Sequence, residues 1–253
     1  RYPLSRKQRE LAKREALILD TAQNILHEQG YSSLTMDRIA EAIEYSKGTI
    51  YNHFTSREDL LTGVCNAGMS VLAELFSRAL TFNGTTRERL LAVQYAYLLH
   101  ALLQPTQFML VISAKTASLS ERTSERRQAE HYQLEGRLMG PMLKLVDEAI
   151  TNRELVLPKQ MTKQQIVFTN WAGSFGAIAL LINSEGKCSG RQGLAFQSEI
   201  FNHANLLLDG MQWHPLSHEM DYYKSVERIA QEIFPEESAQ AGNPQYSQRM
   251  KAN

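Results

Sequence analysis

Apolar residues recur along nearly the whole chain at spacings of three and four, and strict alternation bounded by turn residues is absent, so the pattern demands helices and no sheet is expected. From about Lys7 to Gln29 the inward face is Leu11, Ile18, Ala22, Ile25 and Leu26, with Gly30 where a helix C-terminus favours glycine. Thr35 is placed to cap a short helix from Met36 to about Glu44, with Ile39, Ala40 and Ile43 inward, and Ser46 to cap a second from Lys47 to Phe54. Thr55 and Ser56, followed by Glu58 and Asp59, make a capping-box-like start for a long helix. It carries Leu60, Leu61, Val64, Leu72, Leu75 and Phe76 and ends near Asn83 and Gly84. Further helices are expected at about 86–103, 105–120, 124–152, 162–184, 191–211 and 217–233, with Pro105, Pro158 and Pro215, and Gly186 and Gly190, at junctions. The fold class is all-α, in two unequal parts, about 1–60 and 61–235, joined by one continuous helix. The polar stretch 236–253, with Gly242 and Pro244, is expected to be a mobile tail.

Formal net charge is zero, so no global field draws the chain to nucleic acid or membrane, and any such affinity must be local. The first residues supply a local patch: Arg1, Arg6, Lys7, Arg9, Lys13 and Arg14 stand against Glu10 alone. Cys65 and Cys188 are too few and too far apart for a disulfide framework, which fits a reducing compartment. No apolar run approaches the roughly 18 residues of a membrane span; the most apolar stretch, Trp171 to Asn183, has the length of a buried helix. No hydrophobic signal region follows the basic start. A soluble cytoplasmic protein with no membrane partner is the expectation.

The most informative segment is Thr35 to Leu61, TMDRIAEAIEYSKGTIYNHFTSREDLL. Two short helices joined by a tight turn push the amino end of the second forward, where it can enter a major groove with its unsatisfied N–H groups leading. Gly48 lacks a side chain and permits close approach to a base edge; Lys47 can reach guanine or a phosphate, Thr49 a thymine methyl, and Asn52 an adenine. Tyr51 and His53 suit phosphates, with Thr35 and Arg57 holding the neighbouring backbone. Ile50 and Phe54 are the residues that would lock this helix to Ile39 and Ile43.

The run Ser46-Lys47-Gly48-Thr49-Ile50-Tyr51, followed by His53-Phe54, resembles the helix-turn-helix signature of the TetR family of regulators, over roughly residues 10 to 65. The resemblance implies an N-terminal three-helix DNA-binding domain, a larger helical domain for ligand binding and dimerisation, and no catalytic activity, cofactor or metal. One departure stands out: the family's turn carries glycine where this chain has Glu44, followed by Tyr45. A turn without glycine is accommodated if the first helix runs one residue further, with Glu44 pointing away from DNA and Tyr45 reaching a phosphate or packing. The basic start then reads as an arm ahead of the first helix, lying along the backbone or entering the minor groove.

One short recognition helix reads too few bases to specify a site, so a homodimer on a palindromic double-stranded operator is expected. The small residues Ala172, Gly173, Gly176 and Ala177, with Leu180, Phe201 and Leu206, mark the last two long helices as the expected dimer surface. The resemblance also implies a small-molecule effector pocket, with Tyr95, His100, Phe108, Met109, Tyr132, Met139, Phe168 and Trp171 as candidates. Mostly apolar lining with a few polar tips suits a hydrophobic or aromatic effector. Repression relieved by that effector is the mode the resemblance favours.

Two other readings compete. An enzyme is disfavoured by the lack of phosphate-loop and dinucleotide motifs, and Ala172-Gly173-Ser174-Phe175-Gly176 falls mid-helix rather than on a nucleophile elbow. His214 and His218, with Glu219 and Asp221, are a sparse metal set interrupted by Pro215. A helical interaction module that merely contains a helix-turn-helix is the other alternative.

Overall fold

A computed structural model describes residues 5–113, 121–182, 193–194 and 196–242. These contain eleven α-helices, and no strand occurs among the described residues. Capping chemistry sets many of the starts. Helix α1, Arg6–Gln29, opens with a capping box in which Ser5 Oγ accepts from the Gln8 amide and Gln8 Oε1 accepts from the Ser5 amide. It closes at Gly30, whose φ of 79° a glycine adopts without penalty. A 3-10 turn, Tyr31–Ser33, leads to α2, Met36–Ala42, capped by Thr35, and α3, Lys47–Tyr51, capped by Ser46. Then follow α4, Arg57–Ala79; α5, Thr86–Leu103; α6, Pro105–Ser113; and α7, Glu125–Thr151. The last four are α8, Lys163–Leu181; α9, Phe196–Gly210; α10, Tyr222–Glu232; and α11, Pro235–Gly242. Capping boxes at Thr85/Glu88 and Thr162/Gln165 start α5 and α8.

The described residues form two compact units, divided within α4 after Ser70, between Pro105 and Thr106, and within α7 after Leu134. The expected single boundary near residue 60 thus differs from the packing, in which α6 and the start of α7 join the amino-terminal helices. In the first unit Ile18, Ala22, Ile25 and Leu26 of α1 pack with Leu34, Ile39, Ile50, Phe54, Leu60, Leu61, Val64 and Leu110. Leu11, expected on the inward face, is instead 44% exposed because the core of α1 begins only at Ile18. Gly63 allows the closest approach: a Cβ there would meet Phe54 Cε1 at 2.9 Å and Leu19 Cδ2 at 3.0 Å.

In the second unit α5 is the central helix, buried almost throughout and packed against α8, α9, α10 and α11. Arg87, fully buried, donates to the carbonyls of Trp213 (2.7 Å) and Pro215 (2.9 Å), pairs with Asp209 (2.7 Å) and lies 4.4 Å from the Tyr222 ring. That set of partners is what makes a buried guanidinium tolerable.

The expected mobile tail is helical at its start. Pro235 at the first position and Glu236 and Glu237 in the first turn suit a helix amino terminus, and Arg78 pairs with Glu237 while Ser238 hydrogen-bonds Tyr95 at 2.8 Å. Residues 243–253, Cys188 and the Gly186–Gly190 junction lie outside the described residues. Helix α4 is long and apolar enough to cross a membrane, but Leu60, Leu61, Val64, Leu72, Leu75 and Phe76 on it are buried in protein cores.

Candidate functional site

The turn between α2 and α3 does not extend the first helix, as the sequence led us to expect. Helix α2 stops at Ala42, Ile43 has left helical geometry (φ −108°, ψ 9°), and Glu44 takes the left-handed conformation at φ 55°. The Tyr45 amide then donates back to the Ala40 carbonyl at 2.9 Å, and Glu44 N–H to Glu41 O at 3.2 Å, so the chain reverses within a helix C-cap usually built on glycine. Ser46 Oγ accepts from the Thr49 amide (3.2 Å) and contacts the Thr49 hydroxyl (2.9 Å), which commits both groups to starting α3.

Helix α3 is seated by Ile50 within it and Phe54 just beyond it, both fully buried. Its opposite face is open: Tyr45, Ser46, Lys47, Gly48, Tyr51 and Asn52 are exposed, and Thr49 is half-buried. A Cβ on Gly48 would meet only Ser46 Oγ, at 3.8 Å. Nothing among the described residues therefore requires glycine there, although glycine costs a helix roughly 0.5–1 kcal/mol relative to alanine. Lys47 Nζ is paired with Asp37 at 2.6 Å, both side chains being more than half exposed. Such a pair contributes about 0–1 kcal/mol and exchanges readily for a stronger anion.

Three of the expected DNA-facing residues are occupied differently. Thr35 Oγ1 accepts from the Arg38 amide and caps α2. Arg57 donates to the carbonyls of Leu34 (2.7 Å) and Tyr31 (2.5 Å) and lies 4.3 Å from the Tyr31 ring, so its guanidinium fastens the turn after α1. His53 is turned inward, its side chain only 5% exposed, with Nδ1 3.8 Å from Glu15 Oε2. Burial lowers its pKa, Glu15 opposes that, and Arg14 and Arg126 assist it. Burial alone would raise the Glu15 pKa, but Arg127 and Arg126 hold it below the ordinary value. Read by itself, the motif did not reveal that His53 and Glu15 meet, because the contact depends on how α1 crosses α3.

The basic start is mostly helix rather than an arm. The Ser5 cap places Arg6, Lys7, Arg9 and Lys13 on α1, all exposed, and Arg14 lies 5.6 Å from the Tyr45 ring. Cations in a first helical turn that contains no acid oppose the helix dipole, so folding alone does not ask for them.

In the second unit α5, α7 and α8 line a cavity, with Phe76 of α4 and Trp213 completing it. Its volume is about 50 Å³. The lining repeats at helical spacing: Leu90, Val93, Gln94 and Tyr97 on α5; Met139, Met142, Leu145 and Val146 on α7; Ile166, Val167, Asn170, Trp171 and Ser174 on α8. Of the eight expected pocket residues, Met139 and Trp171 line it. Phe108, Met109 and Tyr132 belong to the first unit, Phe168 is 61% exposed, and Tyr95 is engaged with Ser238 and the rings of Phe201 and Phe234. His100 is buried elsewhere in the core. The regular spacing on α5 and α7 was visible in the sequence, but no local feature distinguishes a cavity wall from a filled core.

The expected dimer residues also divide. A Cβ on Gly173 would run into His203 and Leu207, so this glycine packs α8 on α9 within one chain, and Phe201 is buried beside Tyr95. Ala177 is half-buried. Ala172 is exposed, a Cβ on Gly176 would meet nothing within 4 Å, and Leu180 and Leu206 are 64% and 74% exposed. Ser174 lies within α8, as the mid-helix reading requires. His214 contacts Glu219 at 3.3 Å, and no group of three metal-binding side chains occurs among the described residues.

The family model described as bacterial regulatory proteins, tetR family, matches residues 18–64. The HTH-type transcriptional repressor AcnR of Corynebacterium diphtheriae is 32% identical over 66 residues, 26% of this chain and 35% of AcnR, so the match spans about a third of that relative. Among solved structures, a bacterial regulatory protein in the TetR family from Rhodococcus RHA1 superposes with a TM-score of 0.60 at 14% identity, covering 79% of this chain and 97% of that one. The regulator FadR from Bacillus subtilis, in complex with stearoyl-CoA, gives 0.59 at 15% identity, covering 77% and 98%. These similarities at low identity extend the likeness in fold to both units.

Proposed function

We propose that the chain is a cytoplasmic, DNA-binding transcriptional regulator of the TetR type, a reading supported by the match of residues 18–64 to the tetR family model and by the similarity to AcnR over 66 residues. It acts without enzymatic activity, as a homodimer on a palindromic operator. The observation that carries this reading is the open face of α3: a short helix seated on Ile50 and Phe54, with Lys47, Gly48, Tyr51 and Asn52 outward and a glycine that the fold does not need. Lys47, Asn52 and the Thr49 methyl read base edges, Tyr45 and Tyr51 hold phosphates, Ser46 acts by capping α3, and the exposed cations of α1 add phosphate contacts. Thr35, His53 and Arg57 act by positioning: their side chains hold the helices that present α3.

The partner surface for dimerisation is the exposed part of α8 and α9, Ala172, Leu180 and Leu206, with the half-buried Gly176 between them. Repression is favoured because AcnR is a repressor, and a small-molecule effector because FadR was solved with stearoyl-CoA. The cavity of the second unit is the effector site in this reading. Helix α4 carries both Phe76 of the cavity and Leu60 and Leu61 of the first unit's core, so a ligand that favours one placement of α4 shifts the DNA-binding equilibrium.

The test is selection of bound sequences from random duplexes, followed by binding measured across a salt series. Lys47→Ala and Tyr51→Ala are expected to weaken binding to the selected palindrome by about 1–3 kcal/mol per good contact. Equal binding of random and selected DNA by all three proteins overturns the assignment.

A further inference from the structure

We propose that the cavity of the second unit selects an uncharged, largely apolar ligand that carries a hydroxyl or N–H donor, and that Gln94 Oε1 is the atom that receives it. This rests on the reading of the cavity as the effector site and adds the chemistry it selects.

A chain of amide contacts orients Gln94. Asn170 Nδ2 donates to the Ile166 carbonyl one turn earlier on α8, at 2.9 Å, which leaves Asn170 Oδ1 toward α5. Gln94 Nε2 donates to that oxygen at 3.5 Å. Exchanging the Gln94 oxygen and nitrogen would set two carbonyl oxygens against each other, so the amide has one sensible orientation. It leaves Oε1 buried and without a hydrogen-bond partner among the described residues, on a side chain only 4% exposed that lines the cavity. A buried carbonyl oxygen is unfavourable until a donor reaches it.

The rest of the wall sets the remaining chemistry. Leu90, Val93, Met139, Met142 and Ile166 are hydrocarbon or thioether, the other polar side chains of the wall are the uncharged Tyr97, Asn170, Trp171 and Ser174, and no lysine, arginine, histidine, aspartate or glutamate lines the space among the described residues. A carboxylate or phosphate buried here would have no counter-charge. A ligand with no donor would leave Oε1 as unpaired as it is in the empty cavity. An alcohol, phenol or amide N–H on an apolar body meets both conditions.

The protein reports on this site directly, because both of its tryptophans, Trp171 and Trp213, line the cavity. Intrinsic fluorescence of the full chain is titrated with n-hexanol, with methyl pentyl ether as its donor-free isostere, and with hexanoate. Hexanol is expected to bind roughly tenfold more tightly than the ether, the factor one well-made hydrogen bond supplies, with hexanoate weakest. In Gln94→Leu the preference for the alcohol is expected to vanish while the ether binds at least as well as before. Equal affinities in the wild type, tightest binding of hexanoate, a preference that survives Gln94→Leu, or no response to any probe each overturn the proposal. The wild-type comparison decides the matter even if Gln94→Leu fails to fold. If hexanol shows the donor preference yet no probe alters binding to the selected DNA, the cavity chemistry stands and the effector reading fails.

Discussion

Replacing Gly48 with alanine should separate the stability of α3 from its function. The backbone at Gly48 lies outside the left-handed region, unlike Gly30 and Gly193, so alanine fits without strain. Its methyl would meet only Ser46 Oγ at 3.8 Å, an ordinary contact. Alanine is therefore expected to stabilise the protein by about 0.5–1 kcal/mol, partly by restricting the unfolded chain. For a chain of this size that raises Tm by about 1–4 °C. The same methyl projects from the exposed face beside Lys47, where the proposed duplex comes closest. Displacing one base contact costs about 1–3 kcal/mol, or roughly 5- to 150-fold in Kd. Thermal melting by circular dichroism and fluorescence anisotropy on the selected operator, at one fixed salt concentration, measure the two effects on one preparation. Higher Tm with weaker binding is the expected pair. An alanine variant that binds like the wild type would show that the amino end of α3 does not approach DNA, and a lower Tm would refute the reasoning about the glycine itself.

Glu44→Gly removes the side chain from a left-handed position and is expected to stabilise by about 0.5–1 kcal/mol, read as a shift in urea midpoint at constant m-value. Asp37→Asn frees Lys47 from an exposed pair; stability should change by less than about 1 kcal/mol, while operator affinity rises and the slope of log K against log salt steepens. His100 is 3% exposed and burial lowers its pKa from 6.5 to about 4, so the unfolded state binds the extra proton first as pH falls. Stability is therefore full above about pH 6.5 and declines by up to about 3 kcal/mol toward pH 4, a loss that His100→Leu should reduce in urea titrations across that range.

How much of this was visible in the chain depends on whether the cause was local. The starts of α2 and α3 were legible because Thr35 and Ser46 cap with side chains three residues from their partners, and α5 was read to within a residue. The seating of α3 on Ile50 and Phe54 was legible for the same reason: an apolar pair four apart needs an inward face. The α2–α3 turn misled because a glutamate at a left-handed position breaks the usual residue preference, and only the hydrogen bond from Tyr45 to Ala40 shows how the chain absorbs it. His53 and Arg57 carry the polar chemistry of DNA contacts, yet their environments are set by Glu15 and by the Tyr31 carbonyl, far away in sequence. The same holds for the cavity: Gln94 and Asn170 meet only because α5 packs on α8.

The helix-turn-helix is consequently not a portable segment of about 60 residues. Asp59, 1% exposed, accepts from the Thr55 amide at 2.9 Å and from the amide and hydroxyl of Ser124 at 3.0 and 2.7 Å. Ser56 donates to the Arg122 carbonyl at 2.7 Å, and Arg127 pairs with Glu15 while lying 4.8 Å from the ring of Phe54, the residue that seats α3. Without 121–134 Asp59 keeps only the Thr55 amide, Glu15 loses Arg126 and Arg127, and Arg127 no longer covers Phe54. Each buried polar group left unpaired costs about 1–3 kcal/mol against a total stability on the order of 5–15 kcal/mol. The chain thus returns to its amino-terminal unit to finish it, and the segment that finishes it continues as α7 to Met139 and Met142 in the cavity wall. On the proposed reading, a ligand that biases α7 acts on the framework beneath Phe54.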